Sequence, residues 1–193
     1  MLHLSNEYHA VTGRISRFEK DFYRREKVRK TERKFEKIYT DNYQQVYSFL
    51  YKLCHDSEAA DKMSKEAFFH AFKRMVLYKG QCEMLTWLLH YARKMFVKYL
   101  NKTDALTLPV NLYVSNPEAS VNDEPGFRIN EEVDVAKLRS AFSKLTKKEG
   151  DILILRIFGD VSFAELGRFY GISADSSKLI YLRVRDKVKE EIL

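Results

Sequence analysis

The sequence predicts an all-α protein built from two small helical domains joined by a flexible acidic linker. Three observations carry that prediction. Apolar residues recur at helical spacing from Phe35 to about residue 102 and again from Val135 onward, and no strand pattern of useful length interrupts them. The three prolines, Pro109, Pro117 and Pro125, all fall in the segment 103–134, where that periodicity disappears. The same segment has one basic residue, Arg128, against seven acidic ones, while every other part of the chain is net basic.

Residues 1–34 form a basic N-terminal extension, with ten Lys/Arg against five Asp/Glu. Its stretch from Arg17 to Lys34 has helical character, but Phe18, Phe22 and Val28 are its few apolar positions. That pattern fits a solvated arm; a second nucleic-acid contact is the sharper alternative. The net charge of +7 and pI near 9.2 favour a polyanionic partner for the chain as a whole.

Residues 35–102 predict three helices. Ile38, Tyr39, Val46, Tyr47, Leu50 and Leu53 give the first its apolar stripe. Asp56 and Ser57 offer a cap for the second, which carries Ala60, Met63, Ala67, Phe68, Ala71, Phe72 and Met75. Gly80 breaks the pattern, and Trp87, Leu88, Tyr91, Ala92, Met95, Phe96 and Tyr99 mark the third. The opposite side of this third helix places His90, Lys94, Lys98 and Lys102 four residues apart, with Arg93 beside them. A stripe of this kind is commonly a solvated face, yet no interleaved acid neutralises it, so phosphate binding is a fair alternative.

The domain at 135–193 opens with Val135, Leu138, Phe142 and Leu145. Thr146 and Glu149 have the spacing of a capping box, starting a helix with Ile152, Leu153, Leu155 and Phe158. Ser162 and Glu165 repeat that spacing ahead of a short helix with Ala164, Leu166 and Phe169 on its inner side. Gly171 stands where a helix end needs a left-handed residue, and Ser173 can cap the next helix. In that last helix Ile180 or Tyr181, Val184, Val188 and Ile192 face inward. Two helices joined by a glycine turn, the second one basic, predict a helix-turn-helix that enters a DNA major groove. The plainer reading is an ordinary αα-hairpin. On the DNA reading, Asp175, Ser176, Lys178, Leu179, Leu182 and Arg183 lie outward or at the margin. Ser176, Lys178 and Leu182 are the candidates for base edges, with Leu179 and Leu182 suited to thymine methyl groups. Arg156, Arg183 and Arg185 are the candidates for phosphate.

Other function classes find no support. Cys54 and Cys82 lack C-x-x-C spacing and fit a reduced, cytoplasmic protein. No apolar run approaches the ~18 residues of a membrane span, and Glu7, Arg14 and Arg17 interrupt any signal-peptide core. The five histidines, His3, His9, His55, His70 and His90, show no metal-binding spacing. Neither a metal nor a cofactor is expected, and the chain is not expected to be an enzyme.

Two blocks, in this order, resemble bacterial sigma factors of the small extracytoplasmic-function group of the sigma-70 superfamily. Residues 35–102 resemble sigma region 2 at Phe35–Tyr39, Asp56–Asp61, Glu66-Ala-Phe68, Tyr78-Lys-Gly80, Thr86-Trp-Leu88, Ala92-Arg93 and Tyr99-Leu100. Leu138 to the C-terminus resembles region 4 at Leu145, Leu155-Arg156, Ser162–Leu166, Gly171-Ile-Ser173, Lys178, Arg183 and Arg185. The resemblance implies a subunit that binds core RNA polymerase and directs it to promoter DNA, with region 2 melting the minus-ten element and region 4 reading the minus-thirty-five element. It implies core-polymerase binding through Asp61, Lys65 and Glu66. It also implies a pocket for a flipped base in the loop 78–84, where Lys79, Gln81 and Glu83 offer hydrogen bonds and Trp87 a stacking surface. His90, Arg93, Lys94 and Lys98 then hold phosphates. Trp87, a lone tryptophan at helical spacing, also fits the core.

An anti-sigma factor is a further implied partner, and direct membrane insertion is not implied. The acidic segment either mimics nucleic acid in a positively charged channel or serves as a soluble tether. Several positions depart from the family pattern. Lys94 and Lys98 replace frequent Asn and Asp, and Ile180 replaces a frequent Arg. The rival reading is a helix-turn-helix regulator that binds DNA without joining core polymerase.

Overall fold

The computed structural model describes residues 17–114 and 127–192, with the backbone alone described at 17–32, 109–114 and 127–132. Seven α-helices and one pair of strands make up the described residues. The all-α class holds. By contact the chain divides into two compact units, Met1–Asp41 and Asn42–Leu193.

Helix α1, Arg17–Cys54, contains neither proline nor glycine and runs unbroken through 38 residues. In the first unit its described polar residues Arg33, Lys34, Glu36 and Lys37 are exposed. In the second unit Val46, Phe49, Leu50 and Leu53 are buried. His55, with φ of 52°, closes the helix, and the Asp56 carboxylate caps α2 (Ser57–Lys73) by accepting from the Ala59 N–H at 3.0 Å. A 3-10 turn at Met75–Leu77 and a loop with Gly80 at φ 77° lead to α3, Met84–Leu100. Met63, Ala67, Phe68 and Ala71 of α2 are buried, as are Leu88, Tyr91, Ala92 and Met95 of α3.

The segment expected to lack regular structure contains a two-stranded antiparallel ladder. Strand β1, Thr107–Val114, pairs with β2, Phe127–Asp134, in the register Thr107↔Asp134 through Val114↔Phe127. Leu108, Val110, Leu112 and Val114 alternate along β1 with the period of a strand. Prolines and acidic residues mask that alternation in the sequence. Both strands of a two-stranded sheet are edges, the setting in which Pro109 is tolerated. The paired Leu108 and Val133 are buried. Arg139 holds the approach to the ladder by donating to the Leu100 carbonyl at 2.6 Å and to the Thr103 carbonyl.

Asp134 ends β2 and caps α4 (Val135–Ser143), accepting from the Ala136 N–H at 2.6 Å. The box at Thr146 and Glu149 forms completely and starts α5, Lys147–Gly159. Helices α6 (Phe163–Tyr170) and α7 (Ala174–Ile192) follow. Of the expected inner residues of α6, Leu166 is buried and Ala164 is exposed, because Phe163 takes the inward position instead. The core of this part joins Leu138, Ile152, Leu155 and Leu166 to Tyr181, Val184 and Val188. The choice between Ile180 and Tyr181 falls to Tyr181, which is 5% exposed.

Candidate nucleic-acid interface

The helix-turn-helix is built as its sequence predicts, with one departure. Ser162 caps α6 by accepting from the Glu165 N–H at 3.1 Å, and Gly171 ends it at φ 65°. Ser173 caps α7, accepting from the Ser176 N–H at 3.0 Å. Gly167 permits the tight turn: a Cβ there would lie 2.6 Å from the Ile172 carbonyl oxygen. The departure is Glu165, whose carboxylate does not return to Ser162 and so leaves the box half made. Glu165 is buried, accepts from the Glu83 N–H and holds Arg168, whose Nε lies at 2.9 Å.

The first turns of α7 leave Asp175, Ser176, Lys178 and Leu179 exposed; Leu179 retains 68% of its surface and Leu182 is half-buried. The arginines around them are held in place. Arg156 stacks 4.6 Å from the Phe163 ring centroid and donates to the Val161 carbonyl. Arg183 donates to Glu149 at 2.9 Å, and Arg185 to Asp186 at 2.8 Å. The Glu149 carboxyl lies below the usual range because the Thr146 N–H, then the Thr146 hydroxyl, bond its charged form, with Arg183 adding its charge.

The basic stripe of α3 meets acids the helix itself lacks. Arg93 is buried and donates from Nε to Asp151 of α5, and from Nη2 to the Lys147 carbonyl at 3.3 Å. His90 bonds the same carboxylate through Nδ1, and the Tyr170 hydroxyl donates to it. Lys98 bonds Glu66 of α2 at 3.0 Å. Lys94 is half-buried with its ammonium 4.8 Å from the Tyr91 ring centroid, and burial lowers its pKa. The face expected at solvent is therefore largely covered at His90 and Arg93.

In the loop ahead of α3, Lys79, Gln81 and Glu83 are exposed. Gln81 turns back to accept from the Lys79 N–H at 2.8 Å, and the Tyr78 hydroxyl donates to the Cys82 carbonyl at 2.7 Å. Burial, followed by the charge of Glu165, pushes the Cys82 thiol up to about 11. Trp87 packs in the core rather than at an open surface, 4% exposed, with ring centroids 5.3 Å from Tyr78 and 4.9 Å from Tyr91.

On α2, Asp61 accepts from the Tyr43 hydroxyl and from Lys65 at 2.6 Å. Lys65 is exposed and Glu66 half-buried. Further along, Phe69 is 54% exposed beneath the Lys73 ammonium, and Val76 and Leu77 are exposed at 82% and 55%.

No family model matches the chain. The RNA polymerase sigma factor YlaC of Bacillus subtilis (strain 168) is 22% identical over 157 residues, which cover 81% of this chain and 91% of that protein. Over those residues the chain is similar to an RNA polymerase sigma factor. Solved structures overlap it more loosely. CnrH, in complex with the cytosolic domain of CnrY, gives a TM-score of 0.46 at 13% identity, covering 82% of this chain and 87% of that one. The sigma factor RpoE from Bartonella quintana, crystallised with the anti-sigma factor NepR, gives 0.42 at 13% identity, with 82% and 96% covered.

The sequence alone does not reveal Asp151, Tyr170 and Glu165 as partners of α3. Asp151 stands 58 residues from Arg93 in the chain, and no local spacing links them. Phe69 did leave a signal: Phe68 and Phe69 are adjacent on one helix and cannot both face inward. Among the described residues no cluster of histidine, cysteine or carboxylate side chains is placed to hold a metal ion, and no helix is long and apolar enough to cross a membrane.

Proposed function

We propose that this chain is a promoter-specificity subunit of the extracytoplasmic-function type, acting in the cytoplasm, which binds core RNA polymerase, recognises minus-ten and minus-thirty-five DNA elements and starts transcription. The observation that carries this reading is the likeness to an RNA polymerase sigma factor over 157 residues, enough to span both helical modules. The division follows the sequence, with a region 2 module at 35–102, an acidic connection at 103–134 and a region 4 module at 135–193.

Each module has a role that its chemistry supports. The exposed start of α7, with Asp175, Ser176, Lys178, Leu179 and Leu182, reads base edges in duplex DNA, while Arg156, Arg183 and Arg185 face phosphate. Lys79, Gln81 and Glu83 surround an unstacked minus-ten base, and His90, Arg93, Lys94 and Lys98 attract the backbone. Asp61, Lys65 and Glu66 on α2 take the polymerase. An anti-sigma factor is the natural partner for holding such a subunit inactive; RpoE of Bartonella quintana was crystallised with one, NepR.

Run-off transcription with purified core polymerase on a library of promoter fragments tests the proposal. Start-site-specific transcripts that depend on this chain are expected. DNA binding without association with core polymerase would favour the helix-turn-helix regulator instead.

A further inference from the structure

The basic start of α1 has a pattern that its overall charge conceals. The helix runs on from Arg17 without proline or glycine, so positions three and four residues apart share a face. Alternate steps of three and four from Lys20 reach Tyr23, Lys27, Lys30, Lys34 and Lys37. Only Tyr23 in this row is not a lysine, and no position in it is acidic. One further step reaches Asp41, which ends the row. Among the acids between Arg17 and Lys37, Asp21, Glu32 and Glu36 fall on the opposite side, while Glu19 and Glu26 border the row. Lys34 and Lys37, the two members whose surroundings are described, are both exposed.

A solvated helix face ordinarily mixes its charges, because opposite signs three or four apart support a helix and like signs weaken it. The row does the reverse, with Lys27, Lys30, Lys34 and Lys37 following one another as like charges. At 1.5 Å per residue it extends over about 26 Å. A straight line of cations of that length matches a stiff, regular polyanion. Duplex DNA is one, with a negative charge per about 1.7 Å of its axis.

Other polyanions fit less well. A single strand is held by aromatic side chains interleaved with the cations, and the row has only Tyr23. An anionic membrane needs a broad apolar face opposite the charges. That side has Phe18, Phe22 and Val28, but Asp21, Arg25, Glu32 and Glu36 interrupt it.

We propose that the lysine row of α1 is a sequence-independent docking surface for duplex DNA. It uses none of the residues assigned to the minus-ten or minus-thirty-five element, and it adds affinity whatever the sequence alongside it.

Two full-length variants of equal net charge test it. In the first, Lys20→Gln, Lys27→Gln, Lys30→Gln, Lys34→Gln and Lys37→Gln empty the row. In the second, Arg17→Gln, Arg24→Gln, Arg25→Gln, Arg29→Gln and Arg33→Gln remove as many charges from positions off it. Glutamine forms helix about as well as either residue. Circular dichroism reads folding, and fluorescence anisotropy with a labelled mixed-sequence duplex reads binding over a series of salt concentrations. Each phosphate neutralised contributes about 0.9 to the slope of log affinity against log salt, so the row variant should lose about four units of slope. The arginine variant should lose clearly less. Equal losses would show diffuse charge rather than a row, and an unchanged slope in the row variant would show no contact; either result overturns the proposal. A row variant that keeps the duplex but no longer binds phosphatidylserine vesicles assigns the row to membranes and overturns it too. Acetylation of the natural chain with acetic anhydride, read by mass spectrometry, decides the matter even if a variant misfolds. Duplex DNA should shield the five row lysines, and equal labelling with and without DNA overturns the docking surface. Absence of transcripts with core polymerase would remove the proposed function yet leave the salt slope and the shielding as they are.

Discussion

At Asp151 a carboxylate with no solvent exposure accepts from a histidine, an arginine and a tyrosine. Burial alone would raise its pKa, but the bond and charge of His90, then the charge of Arg93 and the Tyr170 hydroxyl, outweigh burial and hold it below the ordinary 3.8. The same burial, with the Asp151 charge, pushes the Tyr170 hydroxyl far up. A carboxyl whose folded pKa is depressed contributes stability above its ordinary value and loses it as pH falls through the lowered one. The stability this cluster contributes should therefore be present from neutrality to about pH 4 and be lost below it, with urea titrations at a series of pH values as the readout. In Asp151→Asn this acid step should be absent. Removing one partner of a buried pair costs about 3–5 kcal/mol, and Asp151→Asn should show a loss of that order in a urea titration. Gly167 is a second residue with a defined cost. Its Cβ would meet backbone, the Ile172 carbonyl, which has no rotamer with which to retreat. Gly167→Ala should lower stability by about 1–3 kcal/mol in a urea titration.

Among the elements, the helices were legible because their apolar stripes and caps are local. Asp56, Thr146, Ser162 and Ser173 all serve as N-caps. The ladder of β1 and β2 was less legible because prolines and carboxylates hide a period-two pattern that needs a partner strand to show itself. The covered α3 face was not legible at all, since its neutralising acids come from α2 and α5 and only folding brings them near. Glu165 shows the same limit from the other side: its spacing matches a capping box, while its carboxylate serves Glu83 and Arg168. The start of α7 carries its own prediction. Lys178 is exposed there, where the N-terminal part of a recognition helix meets base edges. Lys178→Ala should cost about 1–3 kcal/mol on a preferred duplex and relax selection at one base pair. A uniform loss across a sequence library would instead make it a phosphate contact.

For the whole molecule, surfaces on different helices have to act together. Asp61 and Glu66 on α2 are held by Tyr43, Lys65 and Lys98 and lie outside the contact between α3 and α5. Reversing both charges, as Asp61→Lys with Glu66→Lys, should weaken capture of core polymerase in a pull-down while leaving the helix content unchanged. An undiminished pull-down would move polymerase binding elsewhere, with exposed Phe69, Val76 and Leu77 the next surface to substitute.

The ladder also governs how far the end of α3 and the start of α4 can separate. Val135 N–H donates to the Leu106 carbonyl at 2.9 Å, so the two ends of the intervening chain meet where the strands begin. With the ladder intact, the free leash between Leu100 and Val135 is only residues 101–106, a contour length on the order of 20 Å. If the strands unzip, the leash becomes residues 101–134 and its contour grows to roughly 110 Å. The distance by which Leu100 and Val135 can part is therefore set by strand pairing. Residues added beyond Val114 and before Phe127 would leave the short setting unchanged and lengthen only the long one.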